Sequence, residues 1–172
     1  MNEMNRRKIM ADYVITTDSN SDVLPEFIKE NDLTVIPQYY AFGDTVYGDE
    51  LNMEPHEFYE TMRNGELPKS MANNPAVIRE RFEKILKEGK DILHIAFSSA
   101  LSGSCNNVMM TANELMEDYP DRRIVVFDSL NASLGEGVSV YRAVELWKAG
   151  KTMDEVYDVL MEEREHVNVS FT

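Results

Sequence analysis

The sequence predicts an α/β domain whose doubly wound, mostly parallel sheet carries helices on both faces. Two observations predict this fold. Short apolar runs rich in β-branched residues alternate with longer stretches of helical periodicity, which is typical of strand–helix–strand units with parallel strands. Clusters of small polar residues follow directly after three of the apolar runs, where strands would end and helices begin.

The elements can be assigned in chain order from these two patterns. We predict strands within 12–17, 33–42, 91–97 and 122–129, and helices within 21–32, 54–65, 73–91, 105–120, 134–150 and 153–167. Pro37 lies inside the second strand, which indicates an edge position or a bend. Segment 43–50, GDTVYGDE, predicts a hairpin return, and segment 168–172 has the composition of a strand.

Capping residues support two of the predicted helices. Asn74 is placed to cap the helix that starts at Pro75, and Gly89 follows the last periodic residue of that helix. Ser21 or Asp22 is expected to cap the first helix of the chain. These signals place helix N-termini directly after polar clusters.

The composition excludes several classes of function. The 172 residues suffice for one domain with a hydrophobic core, and the net charge of −14 opposes binding to nucleic acids or to an anionic membrane surface. We find no segment with the length and apolarity of a signal peptide or a transmembrane helix. A single cysteine and three scattered histidines predict neither a disulfide nor a metal site, so we expect a cytoplasmic protein.

The polar clusters at the strand ends indicate an anion site. Three of them, 16–22, 97–107 and 127–137, precede predicted helices, and a fourth cluster at 68–75 contains Ser70. Serine hydroxyls and unpaired backbone N–H groups at helix N-termini bind anions, and Gly103 would allow a close approach of the backbone. One such cluster is explained by capping alone, but three in one sheet favour a shared ligand.

Other kinds of site lack their signatures. The chain contains neither a GxxxxGK[ST] loop nor a GxGxxG motif, and Ser102 is not part of a GxSxG turn. A serine-dependent acyl hydrolase or transferase using Ser102, and a phosphate- or nucleotide-binding module, remain as alternatives. His94 lies inside a strand and is expected in the core. Asp18 and Asp128 each precede a serine at a strand end, so we expect them to shape their loops.

Four segments of the chain resemble segments of the DegV family, and they occur in the same order as in that family. They are 13–50 with Thr17-Asp18-Ser19, Ile36-Pro37-Gln38 and Tyr47-Gly48-Asp49, then 67–82 (LPKSMANNPAVIRERF), 98–108 (SSALSGSCNNV) and 127–140 (FDSLNASLGEGVSV). In the family the third segment reads S-S-x-L-S-G-T-Y, and the second contains P-x-T-S-x-x-x-P. Together the four matches span nearly the whole chain.

The resemblance implies a lipid-binding function. DegV-family proteins hold one long-chain fatty acid with its tail buried and its carboxylate bound by hydroxyls, and some present it to the catalytic subunit of a fatty-acid kinase. They are carriers and not enzymes, and the resemblance implies no cofactor and no metal. Carried over by position, the carboxylate ligands are Ser70 and Ser102. Further residues expected to line the site are Asp18, Ser19, Gly103, Ser104, Asp128 and Ser129.

The resemblance also implies a domain organisation, and the chain departs from the family pattern at two positions. Met71 stands where the family has a second hydroxyl, and Cys105 replaces the usual tyrosine. We expect residues 1–10 to be an N-terminal extension and residues 11–172 to form the DegV-like N-terminal lipid-binding domain. The family's second α/β domain, which covers the acyl tunnel, would then follow residue 172.

Overall fold

Four parallel strands form the central sheet of the protein. The computed structural model describes residues 13–170. Across the sheet the strands follow the order β2 (Thr34–Ile36), β1 (Tyr13–Asp18), β6 (Asp91–Ala96) and β7 (Ile124–Asp128). All neighbouring pairs in this sheet are parallel. The chain therefore winds outward from β1 in both directions, and the predicted doubly wound α/β fold is confirmed.

Six α-helices accompany the strands within the described residues. They are α1 (Pro25–Glu30), α2 (Pro55–Arg63), α3 (Pro75–Lys87), α4 (Ser104–Asp118), α5 (Leu134–Lys148) and α6 (Met153–Glu163). Apolar side chains of α1, α5 and α6 pack on one face of the central sheet, and those of α3 and α4 pack on the other. The sheet is therefore covered on both faces, as the sequence predicts.

Strand β6 shows how the core is divided between the two faces. Ile92 packs with the α3–α4 cluster, whereas Leu93 and Ile95 pack with the α5–α6 cluster, and all three are fully buried. This alternation follows from the two-residue period of a strand, and burial of each side chain stabilises the fold by about 1.5–3 kcal/mol. His94 is also fully buried, with its ring centroid 5.6 Å from that of Phe82, so its predicted core position is confirmed.

A smaller antiparallel sheet adjoins the central one. Its strands lie in the order β4 (Thr45–Tyr47), β3 (Tyr39–Phe42) and β5 (Lys69–Met71). Pro37 and Gln38 interrupt the long strand predicted at 33–42, so that β2 forms an edge of the central sheet and β3 belongs to the second sheet. Strands β3 and β4 are joined by Gly43 and Asp44, which confirms the predicted hairpin. The aromatic rings of Tyr40, Phe42, Tyr47 and Phe58 pack together at this sheet.

The first helix begins later than the sequence indicates. Residues 19–21 form a short 3-10 turn, and α1 starts at Pro25 with Leu24 at the N-cap position. Because proline disfavours the helical conformation of the residue before it, the helix cannot extend back through Leu24. The expectation that Ser21 or Asp22 caps this helix is therefore wrong.

Two further boundaries differ from the expectations, and one agrees. Residues 69–71, part of the polar cluster 68–75 for which no strand was predicted, form β5 because they pair with β3. Residues 168–170 do not form a strand, and 171–172 lie outside the described residues, as do 1–12 with the expected N-terminal extension. The capping of α3 agrees, because the Asn74 side chain accepts a hydrogen bond from the backbone N–H of Ala76 at 2.9 Å.

The first turn of α5 packs tightly against the turn after β1. A Cβ atom added to Gly137 would lie 2.5 Å from the backbone oxygen of Ser21, which is closer than any real contact. Gly103, at the start of α4, has φ −70° and ψ −5°, and open space surrounds the position of its missing Cβ. Glycine is therefore required for packing at the first position and not at the second.

We expect Gly137→Ala to destabilise the fold by about 1–3 kcal/mol, because backbone must move to admit the methyl group. This loss should exceed the gain of about 1 kcal/mol that alanine gives a helix interior. The matched change Gly103→Ala should be neutral or stabilise by up to about 1 kcal/mol. Chemical denaturation of both variants measures the difference, and equal free energies of unfolding would contradict the close packing.

Candidate functional site

The carboxyl ends of β1 and β6 meet where the winding direction of the sheet reverses. In open α/β sheets ligands bind in the crevice at such a point. Asp18, the last residue of β1, is fully buried there, and its Oδ2 accepts a hydrogen bond of 2.8 Å from the backbone N–H of Phe97. Asp18 therefore joins the two strand ends, which agrees with the loop-shaping role expected for it.

The loop after β7 is tied to the loop after β6. Asp128 accepts hydrogen bonds from the backbone N–H of Ser99 at 3.1 Å and from the Ser99 hydroxyl at 2.5 Å. It also accepts from the backbone N–H of Leu130 at 3.1 Å. Ser129 is fully buried, and its backbone N–H donates to the carbonyl oxygen of Ala96 at 3.1 Å. Asp128 and Ser129 thus fix the shape of the crevice from its other side.

Ser102 and Ser104 form the centre of a polar network at the first turn of α4. The Ser102 Oγ accepts from the backbone N–H of Ser104 at 3.1 Å and lies 3.0 Å from the Ser104 Oγ. The Ser104 hydroxyl donates to Gln38 Oε1 at 2.8 Å and accepts from the backbone N–H of Asn73 at 3.3 Å. Ser104 is fully buried, whereas Ser102 is partly exposed. Ser102 is therefore the hydroxyl of this pair that faces the crevice.

Ser19 and Gly103 support this network in different ways. The Ser19 Oγ accepts a hydrogen bond of 2.9 Å from the backbone N–H of Gln38, which connects the end of β1 to the second sheet. Gly103 adopts a backbone conformation open to any residue, and its missing side chain leaves open space beside Ser102. Its contribution is room above the helix N-terminus.

Ser70 lies in the second sheet. It lies in the middle of β5, opposite Tyr40 of β3, and it is exposed. The sequence analysis placed it in a polar cluster without a predicted strand, whereas the structure places it in a strand. Asn73, three residues further along, contacts Ser104, and three residues of extended chain span at most about 10 Å. Ser70 therefore lies within about 10 Å of the residue that contacts the start of α4.

A buried glutamate, which sequence reasoning missed, lies beneath the crevice. Glu136 in the first turn of α5 is fully buried, and its Oε1 accepts a hydrogen bond of 3.0 Å from the Thr17 hydroxyl. Burial and then the negative charge of Asp18 raise the pKa of Glu136 to about 9, so it keeps its proton at neutral pH. The only sequence signal was an acid between two glycines at a helix start, and glutamate there is ordinarily exposed.

His94 completes this buried polar group. Its Nδ1 lies 2.9 Å from the Thr16 hydroxyl, and its Nε2 lies 3.7 Å from Asp18 Oδ2. The hydrogen bond to Thr16 connects His94 of β6 with β1, and the imidazole lies beside Asp18 without a hydrogen bond to it.

Exposed apolar side chains adjoin the hydroxyl-bearing loops. This apolar rim consists of Met71, Leu101, Leu130 and Leu134, whose side chains are between 47% and 61% exposed. Met71 and Leu101 are the chain neighbours of Ser70 and Ser102, respectively. A polar centre with an apolar surround is suited to an amphiphile, because the same ligand can present an anionic head and an apolar tail.

The geometry does not favour nucleophilic catalysis at this site. Ser102 is hydrogen-bonded to Ser104 and not to a histidine, whereas His94 is bonded to Thr16, and the other two histidines of the chain are exposed. Burial and then the charge of Asp128 raise the pKa of the Cys105 thiol to about 12, so it stays protonated and poorly reactive.

Residues 13–170 offer little to a metal or to a phosphate. Within them, His, Cys, Asp and Glu side chains form no group of three or more that could hold a metal ion. A shallow cavity of about 210 Å³ lies at the opposite, amino end of the sheet and carries Arg81, Lys84 and Lys90. Each of these cations is already paired with a carboxylate.

Among residues 13–170 the helices are too short or too polar to cross a membrane.

Fold and site together define a class of protein. It is a doubly wound α/β protein with hydroxyl groups and a helix N-terminus at the carboxyl edge of its sheet, bordered by apolar side chains. Residues 12–172 match the family model described as "Uncharacterised protein, DegV family". The chain belongs to the DegV family, and the resemblance drawn from its four sequence segments is confirmed.

Sequence relatives and solved structures both support this assignment. A DegV domain-containing protein of Clostridium perfringens is 36% identical over 165 residues, which are 95% of this chain and 57% of that protein. A structure described as "Fatty Acid Binding of a DegV family Protein from Thermus thermophilus" is 27% identical, with a TM-score of 0.80 over 89% of this chain and 53% of that one. The Thermotoga maritima structure that "reveals fatty acid binding function" is 30% identical, with a TM-score of 0.76, covering 89% and 55%. The chain thus spans about half the length of these relatives.

The protonated state of Glu136 predicts how stability depends on pH. Between about pH 5 and pH 8 the folded protein keeps the proton, whereas the unfolded chain, with an ordinary glutamate, has lost it. Stability should therefore fall as the pH rises through this window, by up to about 1.4 kcal/mol per pH unit from this residue. Glu136→Gln should remove that contribution, because glutamine is uncharged throughout.

Chemical denaturation at a series of pH values between 5 and 8 measures this slope. The exposed change Glu117→Gln on α4 is the matched control and should leave the slope as it is in the unmodified protein. An unchanged slope in Glu136→Gln would show that Glu136 is ionised in the folded state.

Proposed function

We propose that the protein binds a long-chain fatty acid and holds its carboxylate with Ser102 and Ser70. The observation that carries the proposal is the partly exposed Ser102 hydroxyl at the N-terminus of α4, bordered by the apolar rim. Backbone N–H groups and the helix dipole favour an anion at that end of the helix. The rim supplies the apolar surface on which the first part of an acyl chain would lie.

The proton inventory of the network supports a donor role for Ser102. Ser104 has one hydroxyl proton, which it donates to Gln38, so its oxygen can accept from Ser102. The Ser102 oxygen already accepts from the backbone N–H of Ser104. The hydroxyl proton of Ser102 is therefore the one in this pair that remains available for donation to a ligand. Because hydroxyls rotate, this proton can turn from Ser104 to a ligand carboxylate while the rest of the network stays in place.

The solved relatives support the same ligand class. The Thermus thermophilus structure is described as one of fatty acid binding by a DegV family protein, and the Thermotoga maritima structure as revealing a fatty acid binding function. Both share the fold over almost nine tenths of this chain. We therefore propose a long-chain fatty acid as the ligand of this protein. We also propose that the protein has no enzymatic activity of its own.

The proposal extends to the organisation of the whole protein. We propose that a second α/β domain follows residue 172 and covers the apolar rim, so that the acyl tail is enclosed between the two domains. The whole protein would present the bound carboxylate to the catalytic subunit of a fatty-acid kinase in the cytoplasm. The family resemblance supports both the second domain and the kinase partner. The exposed apolar rim agrees with a domain that covers it.

Native mass spectrometry of the purified full-length protein tests the ligand. We expect a mass increase that corresponds to one fatty acid per protein, lost after extraction with organic solvent. The ligand should be recovered in the solvent as a free acid, because the proposed site binds without forming a covalent bond. Protein that carries no acyl chain and fails to take up added stearic acid would overturn the proposal.

We expect Ser102→Ala to weaken stearic acid binding by about ten- to a hundred-fold. A hydrogen bond to a charged group contributes roughly 1.5–3 kcal/mol, and each 1.4 kcal/mol corresponds to about a factor of ten in affinity. Binding of stearyl alcohol, which has no charge, should change much less. Isothermal titration of both ligands against the full-length protein measures the contrast.

Ser98→Ala is the matched control for this substitution. The Ser98 hydroxyl accepts from the backbone N–H of Ala100 at 3.2 Å, two residues on, as Ser102 does from Ser104, but Ser98 is buried. Both variants should lose about 1 kcal/mol of stability as turn or cap residues, and only Ser102→Ala should lose affinity. Equal stearic acid affinity in the two variants would remove Ser102 from the site.

A further inference from the structure

We infer that Gln38 and Asn73 provide a second pair of hydrogen-bond donors to the bound carboxylate, beside the two serines. The inference rests on the proposed function and adds residues to the same site. It starts from two amide N–H₂ groups, Gln38 Nε2 and Asn73 Nδ2, which are buried and have no hydrogen-bond partner among residues 13–170. Both residues contact Ser104, the hydroxyl that lies 3.0 Å from Ser102.

The contacts of Asn73 fix which end of its side chain is free. Its backbone N–H donates to Ser104 Oγ, and its Oδ1 and backbone oxygen accept from Asn107 Nδ2 at 3.3 and 3.0 Å. Ser104 and Asn107 are both in the first turns of α4. Asn73 is only 2% exposed, so its side chain lies over the N-terminus of α4 with its oxygen satisfied and its nitrogen without an acceptor.

The contacts of Gln38 lead to the same result from the other side. Its Oε1 accepts from the Ser104 hydroxyl at 2.8 Å, and its backbone N–H donates to Ser19 Oγ at 2.9 Å. The oxygen end of the side chain is therefore occupied, and Nε2 is the end that remains. A buried donor without an acceptor is costly, so two of them around one hydroxyl indicate that an acceptor belongs there.

A carboxylate fits the number and kind of these donors. Its two oxygens offer about four lone-pair positions, and the donors at the site are then the hydroxyls of Ser70 and Ser102 and the amides of Gln38 and Asn73. None of these groups is charged. The amide pair therefore adds two uncharged donors that strengthen recognition of the acid over the alcohol.

Two substitutions of the same shape remove the proposed donors and put a negative charge in their place. Gln38→Glu and Asn73→Asp keep the oxygen that accepts from Ser104 or Asn107, and they replace the N–H₂ group by an acceptor. In the full-length protein we expect each to weaken stearic acid binding by at least about a hundred-fold, because a donor is lost and a like charge is placed against the ligand. Stearyl alcohol should bind each variant within about three-fold of its affinity for the unmodified protein.

The exposed change Asn113→Asp on α4 is the control for added negative charge, and it should leave stearic acid affinity unchanged. Thermal melting shows whether the variants fold, and if Asn73→Asp does not, Gln38→Glu alone decides. If the unmodified protein binds stearic acid and both folded variants bind it equally well, the amides do not contact the ligand and the inference is wrong. Failure of the unmodified protein to bind stearic acid would instead overturn the proposed function.

Discussion

The hydrogen bond between the Asp18 carboxylate and the backbone N–H of Phe97 is the interaction on which the rest of the site depends. It joins the ends of β1 and β6 at the one place where the sheet changes its winding direction. The polypeptide leaving β6 continues into the loop with Ser98 and Ser102, and the loop after β7 is fastened to it through Asp128. Loss of the Asp18 contact would therefore weaken the attachment of both loops to β1, although Asp18 itself is buried.

The electrostatics of the site depend on donors at short range and not on net charge. A chain with a net charge of −14 repels anions at long range, but hydrogen bonds act over less than the screening length of about 8–10 Å. The hydroxyls, amides and backbone N–H groups around Ser104 carry no charge of their own. Burial of Glu136 helps in the same direction, because the raised pKa removes one negative charge from beneath the crevice at neutral pH.

The sequence predicted the fold well because the fold depends on patterns that are local or periodic. Runs of β-branched residues and helical spacing identified the parallel strands and most helices, and the Asn74–Pro75 pair marked the start of α3 correctly. The start of α1 and the strand β5 were missed, since Pro25 acts on its neighbour and β5 exists only through pairing with β3. The polar clusters at the strand ends could be identified from the sequence, whereas their buried hydrogen-bond partners could not. Ser102 and Asp18 stood out because hydroxyls and acids at strand ends are a local signal. The hydrogen bonds of Gln38, Asn73 and Glu136 connect segments far apart in sequence, such as Gln38 with Ser104 and Glu136 with Thr17, and a single sequence gives no pattern that reveals them.

The burial of Cys105 gives the protein a chemical reporter of local opening. Cys105 is the chain's only cysteine, follows Ser104 directly at the start of α4, and is fully buried as a protonated thiol. A thiol reagent can modify it only when α4 lifts from the sheet, so the rate of modification counts these opening events. Because Cys105 lies beside Ser102 and Ser104 at the start of this helix, slower modification in the presence of an anion would report occupancy of the crevice without an introduced cysteine.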